Sequence, residues 1–239
     1  MANYLQIKNI KKKFGSQTVL DNINFSVNKK EVVAIMGPSG GGKTTLLKII
    51  AGLEKADRGQ IIFSKLNPHI GFVFQEFNLW PHKTVLENVI EAPMLVKKIE
   101  KERAIVSAKK ILKEVGLSHK LNKYPLQLSG GEKQRTAIAR TLIMNPEIIL
   151  MDEITSNLDP ERIRSIDAII KKLIKEGFTL VIVSHDLNFI ENISNKIILL
   201  DKGKIIESGN PIKILKNPTK KRTKEFISTV LKKQQCAGI

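Results

Sequence analysis

Apolar residues in this chain collect into short unbroken runs. Residues 31–36, 147–151 and 179–183 are dominated by aliphatic side chains with no polar–apolar alternation. Runs of this kind predict strands covered on both faces, the habit of a parallel sheet held between other layers. Residues 4–10 and 18–27 are also strand-like, and they predict an antiparallel β region at the start. Between residues 84 and 143 the pattern changes. Stretches 84–97, 101–115 and 131–143 repeat their apolar positions at helical spacing. Three in succession predict a helical subdomain over residues 77–144, inserted into a core made of residues 1–76 and 145–239. Later runs at 196–201 and 204–208, joined by Lys202-Gly203, predict a hairpin, and a basic helical tail follows Pro218.

The first buried run leads into Gly37-Pro38-Ser39-Gly40-Gly41-Gly42-Lys43-Thr44-Thr45. Its glycines let the backbone turn tightly and aim successive N–H groups at an anion. A helix beginning near Thr44 adds its positive end, and residues 46–51 have the helical pattern. The spacing puts Lys43 in reach of β- and γ-phosphates and the Thr44 hydroxyl on Mg²⁺, with Thr45 adding an α-phosphate contact. Strand, glycine loop and helix together make a P-loop. The predicted fold class is therefore α/β, a P-loop NTPase (RecA-like) core with an N-terminal antiparallel β region and the helical insertion.

The run 147–151 ends in Asp152-Glu153. Parallel sheets place ligands at the carboxyl ends of their strands, so both carboxylates belong beside the P-loop. Asp152 fits a residue that holds Mg²⁺, and Glu153 fits a general base that polarises an attacking water.

A second glycine motif, Leu128-Ser129-Gly130-Gly131-Glu132, opens the last predicted helix. Ser129 and Glu132 have the spacing of a capping box. Capping does not account for two adjacent glycines, each costing about 1 kcal/mol in a helix relative to alanine. They suit a backbone that lies against a phosphate. This motif resembles the signature of ATP-binding-cassette (ABC) ATPases, and the resemblance extends over nearly the whole chain. Residues 151–159 resemble the family's Walker B and D-loop segment, with Ile154 for a usual proline and Asn157 for a usual alanine. Phe72-Val73-Phe74-Gln75 is similar to the Q-loop, and Val183-Ser184-His185-Asp186 to the switch segment. The resemblance implies that Gln75 contacts Mg²⁺ and water, that His185 binds the γ-phosphate, and that Phe14 stacks on adenine. It further implies an ATP-bound homodimer in which Ser129, Gly130, Gly131 and Glu132 meet the nucleotide of the opposite subunit, with Asp159 at the interface. Asp159 before Pro160 also has the form of a helix cap. One departure is the short segment between Gly59 and Gln75, which implies a trimmed β subdomain.

Residues 74–89 and 203–211 resemble the ATPase subunits of polar amino-acid uptake transporters. The implied partners are integral membrane permease subunits and, through them, a solute-binding protein. Phe77, Leu79 and Trp80 fit either a groove for a permease helix or helical core. Two other readings stay open: an ABC ATPase for lipoprotein release or efflux, and one acting on nucleic acid or ribosomes.

Composition narrows this further. The formal net charge is +17, yet only seven of the 40 basic residues are arginines, and the lysines are dispersed. That argues against a specific nucleic-acid partner. The cluster Lys216, Lys220, Lys221, Arg222 and Lys224 is the best candidate for contact with an anionic membrane face, and a solvated tail is the plainer reading. No run approaches the roughly 20 apolar residues of a membrane span, and the start lacks a signal-peptide pattern. With one cysteine, Cys236, the chain makes no internal disulfide. The expected location is peripheral, at the cytoplasmic face of the inner membrane.

Overall fold

A computed structural model describes residues 3–155 and 160–236. In chain order its elements are β1 (Asn3–Phe14), β2 (Gln17–Asn28), β3 (Val32–Met36), α1 (Lys43–Ile50), β4 (Arg58–Phe63), β5 (Ile70–Val73), α2 (Val85–Lys97), α3 (Lys101–Glu114), α4 (Gly130–Leu142), β6 (Ile148–Asp152), α5 (Pro160–Lys175), β7 (Thr179–Val183), α6 (Leu187–Ile193), β8 (Lys196–Asp201), β9 (Lys204–Gly209), α7 (Pro211–Lys216) and α8 (Lys221–Cys236).

The unbroken aliphatic runs form the centre of one sheet, in the order β5-β6-β7-β3-β8-β9, parallel except for β9. Alternate residues of each strand face different layers. Val33, Ile35, Ile148, Leu150, Val181, Val183, Ile198 and Leu200 pack on α1 and on the second sheet. Val32, Ile149, Met151, Leu180 and Ile182 meet the layer formed by α2 to α5. Ala34, Met36, Ile197 and Leu199 meet α6, α7 and α8. Each fully buried Ile or Leu contributes about 1.5–3 kcal/mol, which is why polar residues in β3, β6, β7 and β8 stand only at strand ends, at Asp152, Thr179, Lys196 and Asp201.

The second sheet is antiparallel, in the order β2-β1-β4. The short segment around Gly59 supplies β4, which pairs with β1 from Leu5↔Phe63 to Lys11↔Arg58. Both long strands extend past the expected limits to a tight turn where Phe14 pairs with Gln17. Their polar ends, Lys11 to Phe14 and Gln17 to Thr18, hide that extension from a hydrophobic pattern.

The tail is helical, as expected, and the side chains of its basic cluster are exposed, but the helix is more than a solvated tail. It is a docked helix, with Phe226 and Ile227 buried and Val230 partly buried in the third cluster. Lysine density masks the apolar spacing at 226, 227 and 230. Arg222 Nε donates to Asp201 at 2.6 Å, and Lys216 pairs with Glu191 at 2.9 Å. Glu207, on β9, holds the start of α8 by accepting from the Thr219 N–H at 2.9 Å, the Thr219 hydroxyl at 2.7 Å and the Lys220 N–H at 3.2 Å. Burial alone would raise the carboxyl pKa of Glu207, but the Thr223 hydroxyl, together with the Thr219 and Lys220 hydrogen bonds, outweighs it and holds the group at about 2. The depressed value fixes the sign of the pH dependence. The contribution is fully present above the unfolded value near 4.5 and is lost as pH falls through about 2. Glu207→Gln is expected to melt a few degrees below the parent at pH 7, with the difference shrinking toward pH 2. A melting series against pH checks this, and a difference that stays constant with pH rejects it.

Candidate functional site

Parallel pairing brings the carboxyl ends of β3, β5, β6 and β7 to one edge. Met151 lies beside Ile182, Asp152 beside Val183, and Ile35 beside the same Val183. The loop from Gly37 to Gly42 leaves this edge. Gly37 has φ 150°, and a Cβ there would lie 1.9 Å from the Leu200 carbonyl oxygen. Gly42 has φ 97°, and its Cβ would come within 2.7 Å of the Val19 carbonyl. Only glycine lets the loop press between β8 and β2 at these points. Ser39, Gly40 and Thr44 face solvent. The start of α1 has neither a side-chain cap nor an acidic residue in its first turn. Its free N–H groups and positive end remain available to an anion.

Lys43 is 5% exposed, and its Nζ donates to the carbonyls of Gly37 at 2.9 Å and Pro38 at 3.0 Å. The same nitrogen lies 3.8 Å from Glu153 Oε1. Burial pulls the lysine pKa down, while Glu153 and Asp152 oppose that. Asp152 is buried, and desolvation pushes its pKa up, against a hydrogen bond from Thr44. Its Oδ1 atom is buried without a hydrogen-bond partner.

Glu153 sits at φ 47°, the left-handed region, where a non-glycine residue costs about 1–2 kcal/mol. Its N–H donates to the Val183 carbonyl at 3.0 Å, which holds it there. The carboxylate lies 2.7 Å from His185 Nε2. That contact, with Lys43 nearby, keeps the Glu153 carboxyl below the usual carboxylate range despite burial. Lys43, Asp152, Glu153 and His185 therefore converge, as their sequence positions predict. Gln75 is exposed, two residues past the end of β5, beside the β6 strand that ends in Asp152.

Phe14 is 49% exposed at the turn of the β1–β2 hairpin, with Lys12 Nζ 4.9 Å above its ring. That hairpin also carries Val19, whose carbonyl faces Gly42. Ser129 caps α4, its N–H donating to Glu132 Oε2 at 2.8 Å. Lys120 meets the other Glu132 oxygen at 3.2 Å. Burial would raise the Glu132 pKa, but Ser129 and Lys120 bring it down. Among the described residues, no hydrogen bond joins Ser129 to the Lys43 cluster. Asp159 lies outside the described residues. Leu79 packs on the helical core, whereas Phe77 and Trp80 belong to none of the three core clusters. Arg140 is a contact the sequence did not signal: its guanidinium holds the carbonyls of Phe77 and Asn78. A cation within the apolar stretch from Ala137 to Leu142 was the available hint.

A parallel sheet with a glycine loop at its edge, a buried lysine and a carboxylate–histidine pair defines a P-loop nucleotide hydrolase. The profile of the ABC transporter family matches residues 20–156, and the chain belongs to that family. It is 43% identical over 239 residues to the arginine transport ATP-binding protein ArtM of Bacillus subtilis, covering 95% of this chain and all of that one. It is 44% identical to the L-cystine transport system ATP-binding protein TcyN of Escherichia coli, covering 95% and 98%. Among solved structures it resembles a dimeric ATP-binding cassette in a post-hydrolysis state bound to ADP and phosphate, with TM-score 0.78, 37% identity, and 87% and 98% of the two chains covered. The chain is accordingly an ABC-type ATPase that binds and hydrolyses ATP. No helix among the described residues is long and apolar enough to cross a membrane.

Proposed function

We propose that this chain is the ATPase of an importer for a polar amino acid. It works as a homodimer at the cytoplasmic face of the inner membrane, peripheral to integral permease subunits that receive solute from a binding protein. The relatives support this by name, being arginine and cystine transport proteins of nearly equal length. That near-equal identity reaches across different solutes fits an engine that does not itself choose the solute.

The observation that carries the chemistry is the Lys43, Glu153 and His185 cluster at the P-loop, with Glu153 within 3.8 Å of both others. In the proposed cycle the backbone of residues 37–42 and the start of α1 hold the phosphates, with Thr45 at the α-phosphate and Phe14 stacked on adenine. Lys43 exchanges its two carbonyl partners for the β- and γ-phosphates. Glu153, kept ionised by His185, accepts the proton of the attacking water, and His185 turns to the γ-phosphate. Asp152 Oδ1, a buried acceptor with no partner, beside the Thr44 hydroxyl, fits a Mg²⁺ site completed by Gln75. The ion, when bound, neutralises phosphate charge. Ser129, Gly130 and Gly131 meet the partner subunit's ATP, and Glu132 holds the serine in place. Asp159 lies at the interface. The helical segment 77–144 moves as an inserted unit on the core formed by 1–76 and 145–239.

Affinity purification of the tagged chain from ATP-treated membranes tests the transport assignment. A multi-span permease is expected to co-purify. Recovery of ribosomal proteins or nucleic acid instead rejects the importer, while an efflux or lipoprotein-release permease redirects it.

A further inference from the structure

The helix that Ser129 opens reaches back toward the loop that follows Gln75. Three turns along α4, Arg140 donates from Nη1 to the Asn78 carbonyl at 2.7 Å and from Nη2 to the Phe77 carbonyl at 3.0 Å. Its guanidinium carbon is 5.1 Å from the centre of the Trp80 ring, and Lys83 Nζ is 5.3 Å from the same centre. Among the described residues no carboxylate pairs with Arg140, so its charge is directed wholly at backbone carbonyls and an aromatic face. The loop it holds is strained. Phe77 and Asn78 are consecutive non-glycine residues at φ 59° and 49°. Asparagine tolerates this region, but the bulky Phe77 costs about 1–2 kcal/mol there and persists only where its surroundings impose it. From the other side, fully buried Asn88 accepts from the Trp80 N–H at 2.9 Å and donates to the carbonyls of Trp80, Lys83 and Thr84.

We propose that Arg140 is a positioning residue that locks the Gln75 loop to the signature helix, so that nucleotide sensed at Gln75 reorients Ser129 with the loop as one body. This rests on the roles given to Gln75 and Ser129 above. The physical reason for arginine is its planar fork, which spans two neighbouring carbonyls while lying against an indole; lysine keeps the charge and can approach the ring but cannot span both carbonyls.

Trp80 is the one tryptophan of the chain and lies against Arg140. Its fluorescence therefore reports the link directly, without any need for turnover. The full chain is titrated with a non-hydrolysable ATP analogue and Mg²⁺, and so are Arg140→Met and Arg140→Lys. The parent emission is expected to change on saturation. Both variants are expected to bind the analogue within about twofold of the parent yet lose most of that change, and their kcat for ATP is expected to fall about tenfold at unchanged KM, the size of one lost charge-assisted hydrogen bond. A purely structural arginine would lower the melting temperature and leave the emission change per bound nucleotide intact. Retention of the full change in either variant overturns the proposal, as does a parent whose emission is indifferent to bound analogue. Gln75→Ala separates the two claims: a normal emission change there removes Gln75 from its role, while the Arg140 variants still decide the link.

Discussion

Lys43→Ala is expected to weaken ATP binding about 100-fold, the equivalent of about 2.7 kcal/mol and within the range for a lost hydrogen bond to a charged group. The structure supplies two reasons. The lysine is the cation that the loop itself positions, through the Gly37 and Pro38 carbonyls. It is also the counter-charge to Glu153 at 3.8 Å. Without it, Asp152 and Glu153 face an incoming triphosphate with no fixed side-chain charge between them, and repulsion adds to the lost contact. Titration with a fluorescent nucleotide measures the change, and a melting curve shows whether the variant is folded. A folded variant with parental affinity would remove Lys43 from the phosphate site.

Glu153→Gln is expected to separate binding from hydrolysis. Glutamine has the shape of glutamate, keeps the backbone N–H that bonds Val183, and can still accept from His185. What it loses is the capacity to take a proton. A positioned general base is worth roughly 100- to 10,000-fold, so phosphate release should fall by about that factor. ATP should bind at least as tightly, because an anion near the phosphates is gone. If the proposed homodimer is correct, the variant should elute as a dimer when ATP is present and as a monomer without it. Turnover at the parental rate would exclude Glu153 as the base.

The sheet edge that carries the candidate site was legible because its signals are local. Each of the segments 37–45 and 152–153 follows an aliphatic run, and parallel pairing alone carries such segments to one end of a sheet. Thr44 and Asp152 could be paired from spacing for the same reason. Contacts made between distant parts of the chain were not legible. Arg140 and Phe77 are far apart in sequence, and a lone cation in an apolar stretch does not say which carbonyls it meets. The docking of α8 was hidden differently, since its buried positions are interleaved with lysines that dominate composition. Phe77, Leu79 and Trp80 could not be divided between core and surface from sequence, because all three are apolar. The structure divides them through packing: only Leu79 joins the core.

The wedge at Gly37 carries a consequence for the birth of the protein. The nucleotide loop takes its shape from the Leu200 carbonyl on one side and Val19 on the other, and the Gly203 N–H reaches the Gly41 carbonyl at 3.3 Å. A ribosome that has released the P-loop sequence has therefore made the Val19 wall but not yet the one at Leu200. ATP recognition is acquired late in synthesis, once the strand ending at Asp201 has been threaded into the sheet, so an unfinished chain carries the motif without the site.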